Sequence, residues 1–281
     1  MKRLFDKVSE RCSELVTQSY STSFSMAVRT LSPSIKPAIY NIYGFVRFAD
    51  EIVDTFHEYP KAELLSRFEE DYYQAYELGI SMNPVLNAFQ KTVKQYRIDD
   101  DLIQAFMNSM KADLVKMQYT SREEFDTYIY GSADVVGLMC LKVFVNGDQA
   151  KYEELREPAM RLGSAFQKVN FLRDIKQDYE MLHRSYFPNV DLKSLDVASK
   201  NKIIADIESD FDYAYKNGIL NLPVEAKFGV YMAYRYYRRL LKKLKDVPSS
   251  KILSTRVRIS NSMKLNLLAR SYVKYKLNLI N

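Results

Sequence analysis

Apolar residues recur at three- and four-residue intervals almost from end to end of this 281-residue chain, the periodicity of amphipathic helices. Breakers are scarce, with Gly and Pro at 8 each, so long helices are favoured over strands and turns. No fixed repeat, linker or composition shift divides the sequence. Residues 1–281 are therefore expected to form one all-α helical bundle, long enough to need no metal or disulfide staple. Helices are expected over about 3–20, from Ser32-Pro33 to His57, from Pro60, from Pro84 and from the acidic turn Asp99–Asp101. Others run from the capping box Ser121–Glu124 to Val145, over about 150–182 with a kink or restart at Pro158, and over about 194–216, 223–246 and 258–279. Ser21-Thr22-Ser23 reads as a polar interruption, Asn146-Gly147-Asp148 as a break and 183–190 as loop.

The formal charge is +6 and the pI near 9.0, which suits a nucleic acid, an anionic membrane or a polyanionic small substrate, or serves solubility alone. Cys12 and Cys140 are too few for a disulfide framework or zinc site, which fits a reducing cytoplasm. Met1–Glu10 lacks the apolar core of a secretory signal, and no run of about 18 apolar residues occurs. Neither GxGxxG nor GxxxxGK[ST] is present.

Two segments carry chemistry. On a helix, Tyr43, Arg47, Asp50 and Asp54 share one face, and Gln167, Asn170, Asp174 and Asp178 share another. The residues between them, Phe45, Val46, Phe48, Ile52 and Val53, and Val169, Phe171, Leu172 and Ile175, are apolar. A solvated face would carry paired Lys and Glu, whereas these stripes carry short carboxylates, amides and Arg. Carboxylates four apart repel unless a cation lies between them, and a hard divalent ion with oxygen ligands relieves that. If the helices face each other, Asp50, Asp54, Asn170, Asp174 and Asp178 form an all-oxygen ring. Loaded with Mg²⁺, such a ring binds diphosphate, and Arg47 and Arg173 add charge-assisted bonds. One DxxxD is common on solvated helices; two in apolar helices, each with an Arg or amide on its face, are not.

These residues resemble the squalene and phytoene synthases. The resemblance runs through Ser21-Thr22-Ser23-Phe24, Arg47 to Asp54, Tyr130-Gly131-Ser132-Ala133 to Gly137, Gln167 to Asp178 with Arg184, Tyr186 and Pro188 after it, and Arg256-Val257-Arg258. It spans about residues 12–270 and departs from the family at Glu51, where Asp is usual. It implies an all-α bundle around a central cavity, of isoprenoid synthase type. It further implies Mg²⁺, with Mn²⁺ as substitute, held by Asp50, Asp54, Asn170, Asp174 and Asp178. Ser21, Thr22, Ser23, Tyr43, Arg47, Gln167, Arg173, Tyr237 and Arg256 would contact substrate. Asp50, Asp54, Asp174, Asp178 and Arg173 would carry catalysis.

The resemblance also implies head-to-head joining of two prenyl diphosphates through a cyclopropyl diphosphate. Phytoene from two geranylgeranyl diphosphates, in carotenoid biosynthesis and without nicotinamide, is the first expectation. Squalene or dehydrosqualene from two farnesyl diphosphates is the second. A terpene cyclase and a non-catalytic helical binding protein rank lower. Acidic stripes would repel nucleic acid, so none is expected. A cytoplasmic protein in peripheral contact with an anionic membrane is expected, and Lys264 to Lys276 could lie at that surface. Met139, Cys140 and Leu141 read as core or cavity lining, and His57 and His183 lie away from the motifs.

Overall fold

The computed structural model describes residues 1–181, 184–188, 195–277 and 279–280, with side chains left out for 178–181. In chain order the helices are α1 (Lys2–Tyr20), α2 (Thr22–Arg29), α3 (Lys36–Thr55), α4 (Lys61–Leu78), α5 (Pro84–Tyr96) and α6 (Asp100–Asp113). Then come α7 (Arg122–Ile129), a π-helical turn (Tyr130–Asp134), α8 (Val135–Phe144), α9 (Gln149–Met181) and α10 (Val197–Asn217). A 3₁₀ turn (Ile219–Asn221) leads to α11 (Val224–Asp246), α12 (Ser249–Ser254) and α13 (Asn261–Lys276). Among the described residues there is no strand, only an isolated parallel bridge between Gln118 and Ser185. The all-α expectation holds.

Several boundaries move, each for a local reason. Ser21 caps α2 rather than interrupting the chain: it is extended, and its hydroxyl accepts from the Phe24 amide at 3.2 Å. At Ser32-Pro33 a turn comes first, because the Ile35 and Lys36 amides both donate to the Ser32 carbonyl, at 3.2 and 3.1 Å. It is Pro37 that occupies the first turn of α3. The helix expected over Ser121–Val145 is divided by the π-helical turn, although its capping serine behaves as read, accepting from the Glu124 amide at 3.1 Å. The break after Val145 is sharp because Asn146 and Gly147 are both left-handed, at φ 51° and 81°. Pro158 sits inside α9, which continues through it. The last helix starts at Asn261, capped by Ser260, whose hydroxyl accepts from the Met263 amide at 3.3 Å.

Packing separates the apolar residues into two clusters. Phe45, fully buried, stacks on Phe89 at 4.0 Å and Phe68 at 5.3 Å in the first, which draws on α3 to α6 and α8. Phe171 stacks on Tyr186 at 3.8 Å in the second, which draws on α7 and α9 to α11. A cavity of about 310 Å³ lies between them, lined from both. One side of α9 is fixed to α10 by a buried charge network, in which Lys168 donates to Asp206 at 2.6 Å and Asp210 at 2.7 Å. Breaking such a network strands a buried charge, so α9 is held firmly where its other side meets the cavity.

The π-helical turn depends on Gly131. A Cβ there would lie 2.8 Å from the Ala105 carbonyl oxygen and 2.9 Å from Ser109 Cβ, both on α6. Backbone on that side cannot give way cheaply, so Gly131→Ala is expected to cost about 1–3 kcal/mol as overpacking. A thermal melt that leaves the variant as stable as the parent would refute this close approach.

Candidate active site

Along α9 the cavity is lined by Leu155, Pro158, Ala159, Leu162, Gly163, Phe166, Gln167 and Asn170. Their spacing of three, one, three and one is a single helix face. It covers about 22 Å, at 1.5 Å per residue. The next positions on that face are Arg173 and Asp174. On α3 the lining residues Ile39, Ile42, Tyr43 and Val46 follow the same rule, and Arg47, Asp50 and Asp54 continue it. Both helices thus change from apolar to charged in the N-to-C direction, giving one cavity with an apolar body and a polar mouth.

At the mouth each described carboxylate meets a guanidinium, Asp50 and Glu51 sharing one. Arg47 donates to Asp50 at 2.5 Å and to Glu51, so the residue that departs from the family pattern shares the guanidinium of Asp50. Arg173 pairs with Asp174 beside it, and Arg256 clamps the same carboxylate, its Nε 2.7 Å from Oδ1. Arg184 reaches Asp54 at 2.7 Å. The Tyr237 hydroxyl donates to the Asn170 side-chain oxygen at 3.3 Å. Arg47 also lies over the Tyr20 ring, 4.4 Å from its centroid. Two stacked aromatic pairs mark the boundary between mouth and body: Phe24 on Tyr43 at 4.8 Å, and Phe166 on Tyr237 at 4.2 Å.

Burial dominates the electrostatics. It pushes the Asp50 carboxyl up to about 7, with the nearby Asp54 charge adding to the shift and Arg47 opposing it. Burial also raises the Tyr43 phenol to about 12, so it stays protonated and able to donate.

The structure thus brings Arg47 to Asp50, Arg256 to Asp174 and Tyr237 to Asn170, with Tyr43 and Gln167 on the cavity wall. The Ser21–Ser23 run is less direct. None of the three lines the cavity. Ser21 reaches Tyr43, Thr22 accepts from Lys264 at 2.9 Å, and Ser23 faces a small pocket beside Tyr236. Lys264 is therefore buried against α2, not at the surface where the sequence reading put it. The side chains of Asp178 and His183 lie outside the described residues.

Sequence reading missed Asp113 and Tyr128. Asp113, at the end of α6, looks like a solvated acid but is 3% exposed. It accepts from the Tyr128 hydroxyl at 2.8 Å, while Arg184 donates to its backbone carbonyl at 2.8 Å. The pair holds Arg184 in place against Asp54. No sequence signal joins residues 113, 128 and 184; only the packing of Tyr119, Tyr128 and Tyr186 does.

A family model described as squalene/phytoene synthase matches residues 17–262. The chain belongs to the squalene/phytoene synthase family. As a member it is a prenyltransferase-type enzyme acting on prenyl diphosphates. Phytoene synthase 1, chloroplastic, of Solanum lycopersicum is 26% identical over 289 residues, covering 96% of this chain and 69% of that one. The chloroplastic phytoene synthase of Daucus carota is 28% identical over 258 residues, covering 85% and 63%. The crystal structure of a dehydrosqualene synthase in complex with ligand superposes with a TM-score of 0.84 at 21% identity, covering 96% of this chain and 98% of that one. Squalene synthase HpnC from Alicyclobacillus acidocaldarius gives 0.73 at 19% identity, covering 84% and 93%. At these identities the structural likenesses establish the isoprenoid synthase-type fold.

Asp113 gives the family site a pH dependence of its own. Burial raises its carboxyl from 3.8 to about 7, opposed by Arg184 and Tyr128. A carboxyl raised on folding holds its proton more tightly in the folded state. Its contribution is full below the unfolded value and is lost as pH climbs towards 7. Between pH 5 and 7.5 the parent is expected to lose roughly 2–3 kcal/mol that Asp113→Asn, which cannot ionise, does not lose. Denaturant melts of both proteins at the two pH values test this, and a parent–variant difference independent of pH would sink it.

Proposed function

We propose that the enzyme joins two geranylgeranyl diphosphates head to head to form phytoene, with Mg²⁺ as its metal, Mn²⁺ as a substitute and no nicotinamide. The observation that carries this reading is the continuous face of α9. Some 22 Å of apolar wall, from Leu155 to Asn170 at 1.5 Å per residue, suits a prenyl chain of four isoprene units. It ends on Arg173 and Asp174, where a diphosphate would lie. The phytoene synthases among the relatives, similar over 96% and 85% of this chain, favour the C20 substrate.

Among the described residues no three carboxylate, histidine or cysteine side chains converge on one point. Asp50, Asp54 and Asp174 instead stand on two helices, each held by an arginine. That donor set still fits Mg²⁺, which takes one or two carboxylates and completes its shell with water and substrate phosphate. Asp50, Asp54, Asn170, Asp174 and Asp178 would hold it, and its charge would make the allylic diphosphate a better leaving group. Arg47, Arg173 and Arg256, now on carboxylates, have donors in place to move onto phosphate oxygens. As the allylic C–O bond breaks, the faces of Phe24, Tyr43 and Phe166 can stabilise the carbocation. The apolar wall keeps water from quenching it; the second substrate's double bond supplies the electrons for the new C–C bond, the resulting cation closes to a cyclopropyl diphosphate as a proton leaves, and departure of the second diphosphate, rearrangement and loss of a second proton give the triene.

The test is incubation with labelled geranylgeranyl diphosphate, Mg²⁺ and mild detergent, without nicotinamide. A C40 hydrocarbon is expected, and Asp174→Asn is expected to slow its formation roughly 10²- to 10³-fold. A C30 product from farnesyl diphosphate, with none from the C20 substrate, would replace this reading by dehydrosqualene or squalene formation. No hydrocarbon from either substrate, in protein that melts cooperatively, would end it.

A further inference from the structure

Two of the cavity helices, α9 and α11, are level at the mouth. The Tyr237 hydroxyl of α11 donates to the Asn170 side chain of α9 at 3.3 Å, and the Tyr237 ring stacks on Phe166. Eight residues before Tyr237 stands Gly229, and eight before Asn170 stands Leu162; both line the cavity. Eight helical residues cover about 12 Å, so this level lies about half-way down the 22 Å wall. Leu31, in the turn after α2, reaches the same level from across the fold. A Cβ built on Gly229 would lie 2.7 Å from Leu31 Cγ and closer still to one of its methyl groups.

Elsewhere on the wall, a Cβ on Gly137 or Gly163 would first meet the carbonyl oxygen of Ala159 or Ala133, at 3.1 and 2.9 Å, so backbone fixes the wall there. At Gly229 the first atoms met belong to a side chain, and that side chain has the cavity beside it. The backbone that carries it cannot retreat. The Leu31 amide donates to the Val28 carbonyl at 3.0 Å, and the Ser32 amide crosses to the Glu225 carbonyl, in the first turn of α11, at 2.9 Å. Gly229 thus leaves an opening that one leucine tip fills, which keeps that tip out of the bore. With the backbone pinned and its other sides packed in the core, Leu31 would be turned into the cavity by any side chain at position 229.

We propose that Leu31, seated on Gly229, sets the bore of the cavity at mid-depth and so decides how much of a prenyl chain passes to the inner half, where Pro158 and Leu155 stand. At roughly 5–6 Å of wall for each isoprene unit, two units end before this level, and the third and fourth must pass it. Leu31 is then a residue of chain selection with no part in the metal site, and Gly229 positions it. The proposal takes the diphosphate at the mouth from the reading above, but neither the length of the natural substrate nor the product.

Unreactive thio-diphosphates with C10, C15 and C20 chains, sulfur replacing the bridging oxygen, are titrated calorimetrically into the full chain with Mg²⁺. The parent is expected to bind them more tightly as the chain lengthens. Gly229→Ala is expected to lose roughly 10- to 100-fold in affinity for the C15 and C20 analogues and to bind the C10 analogue as the parent does. Leu31→Ala/Gly229→Ala fills the opening but removes the leucine tip, and is expected to regain the parent's ratio of C20 to C10 affinity. Leu31→Phe, with Gly229 intact, is expected to lose that ratio as Gly229→Ala does, and replaces it in the test if Gly229→Ala does not melt cooperatively. An equal loss for all three analogues, no loss for any, or a double variant that stays at the Gly229→Ala ratio would overturn the proposal. So would a parent that binds the C10 and C20 analogues alike. No binding of any analogue, by a parent that melts cooperatively, would remove the diphosphate site proposed above and this role of Leu31 with it. A parent that makes only a C30 product, with the selective loss still seen in Gly229→Ala, would leave Leu31 in its role and change only the substrate.

Discussion

Carboxylates on the wall of an apolar cavity are stable only when positive charge comes with them, and the arrangement of this mouth follows from that. Asp50 and Asp54 sit in the last turns of α3, where the helix dipole already presents negative charge. Two carboxylates added to that end need cations more than a solvated pair would. Arg47 supplies one from the preceding turn and Arg184 another from across the fold. Asp174 draws two guanidiniums, from Arg173 and Arg256. In the ligand-free protein the arginines are thus internal counterions. In the proposed reaction a metal-bound diphosphate would bring both signs of charge, so that metal would take the carboxylates and phosphate the arginines, with neither set left unpaired.

That exchange needs arginines that stay near their posts when their carboxylates leave, and the packing differs among them in this respect. Arg184 is 4% exposed and is held by the Asp113 carbonyl and the Tyr186 hydroxyl as well as by Asp54. It keeps partners if Asp54 turns to a metal. Arg47 has both Asp50 and Glu51 and rests on the Tyr20 ring. Glu51 thus acts as a holding group, a role open to it because its longer side chain reaches Arg47 from the next position. Arg256 is the exposed member, 40% accessible, and comes from an irregular segment. It has the most freedom to follow a phosphate.

Much of this was legible in the sequence, and the reasons for success and failure are local. Helix-period spacing identified α3 and α9 and the faces that carry Asp50, Asp54 and Asp174, because spacing alone sets a helix face. The same spacing, followed backwards from Gln167 to Leu155, predicts the cavity wall. Small and apolar residues there look like ordinary core until the polar continuation is read with them. The short elements were missed. α2 is eight residues long and α12 six, too short for periodicity to stand out. The Asp113–Tyr128–Arg184 cluster was missed because its members are joined only by tertiary packing.

Lys264 shows how a periodic pattern can mislead when tertiary packing decides. Its place in a basic, amphipathic last helix suggested a surface cation, yet its ammonium donates to Thr22 and lies 5.6 Å from the Tyr236 ring centroid. Burial lowers its pKa, and among the described residues no carboxylate offsets that. A buried ammonium kept on a hydroxyl and a ring costs stability. What it provides is a fixed join between the first turn of α13 and the first turn of α2, whose cap, Ser21, reaches Tyr43. Through that join the C-terminal segment, which carries Arg256, is held in register with the aromatic rim of the cavity. Thr22 and Lys264 thus join α2 to α13 beside the mouth, and the groups that would meet a diphosphate are positioned by that contact.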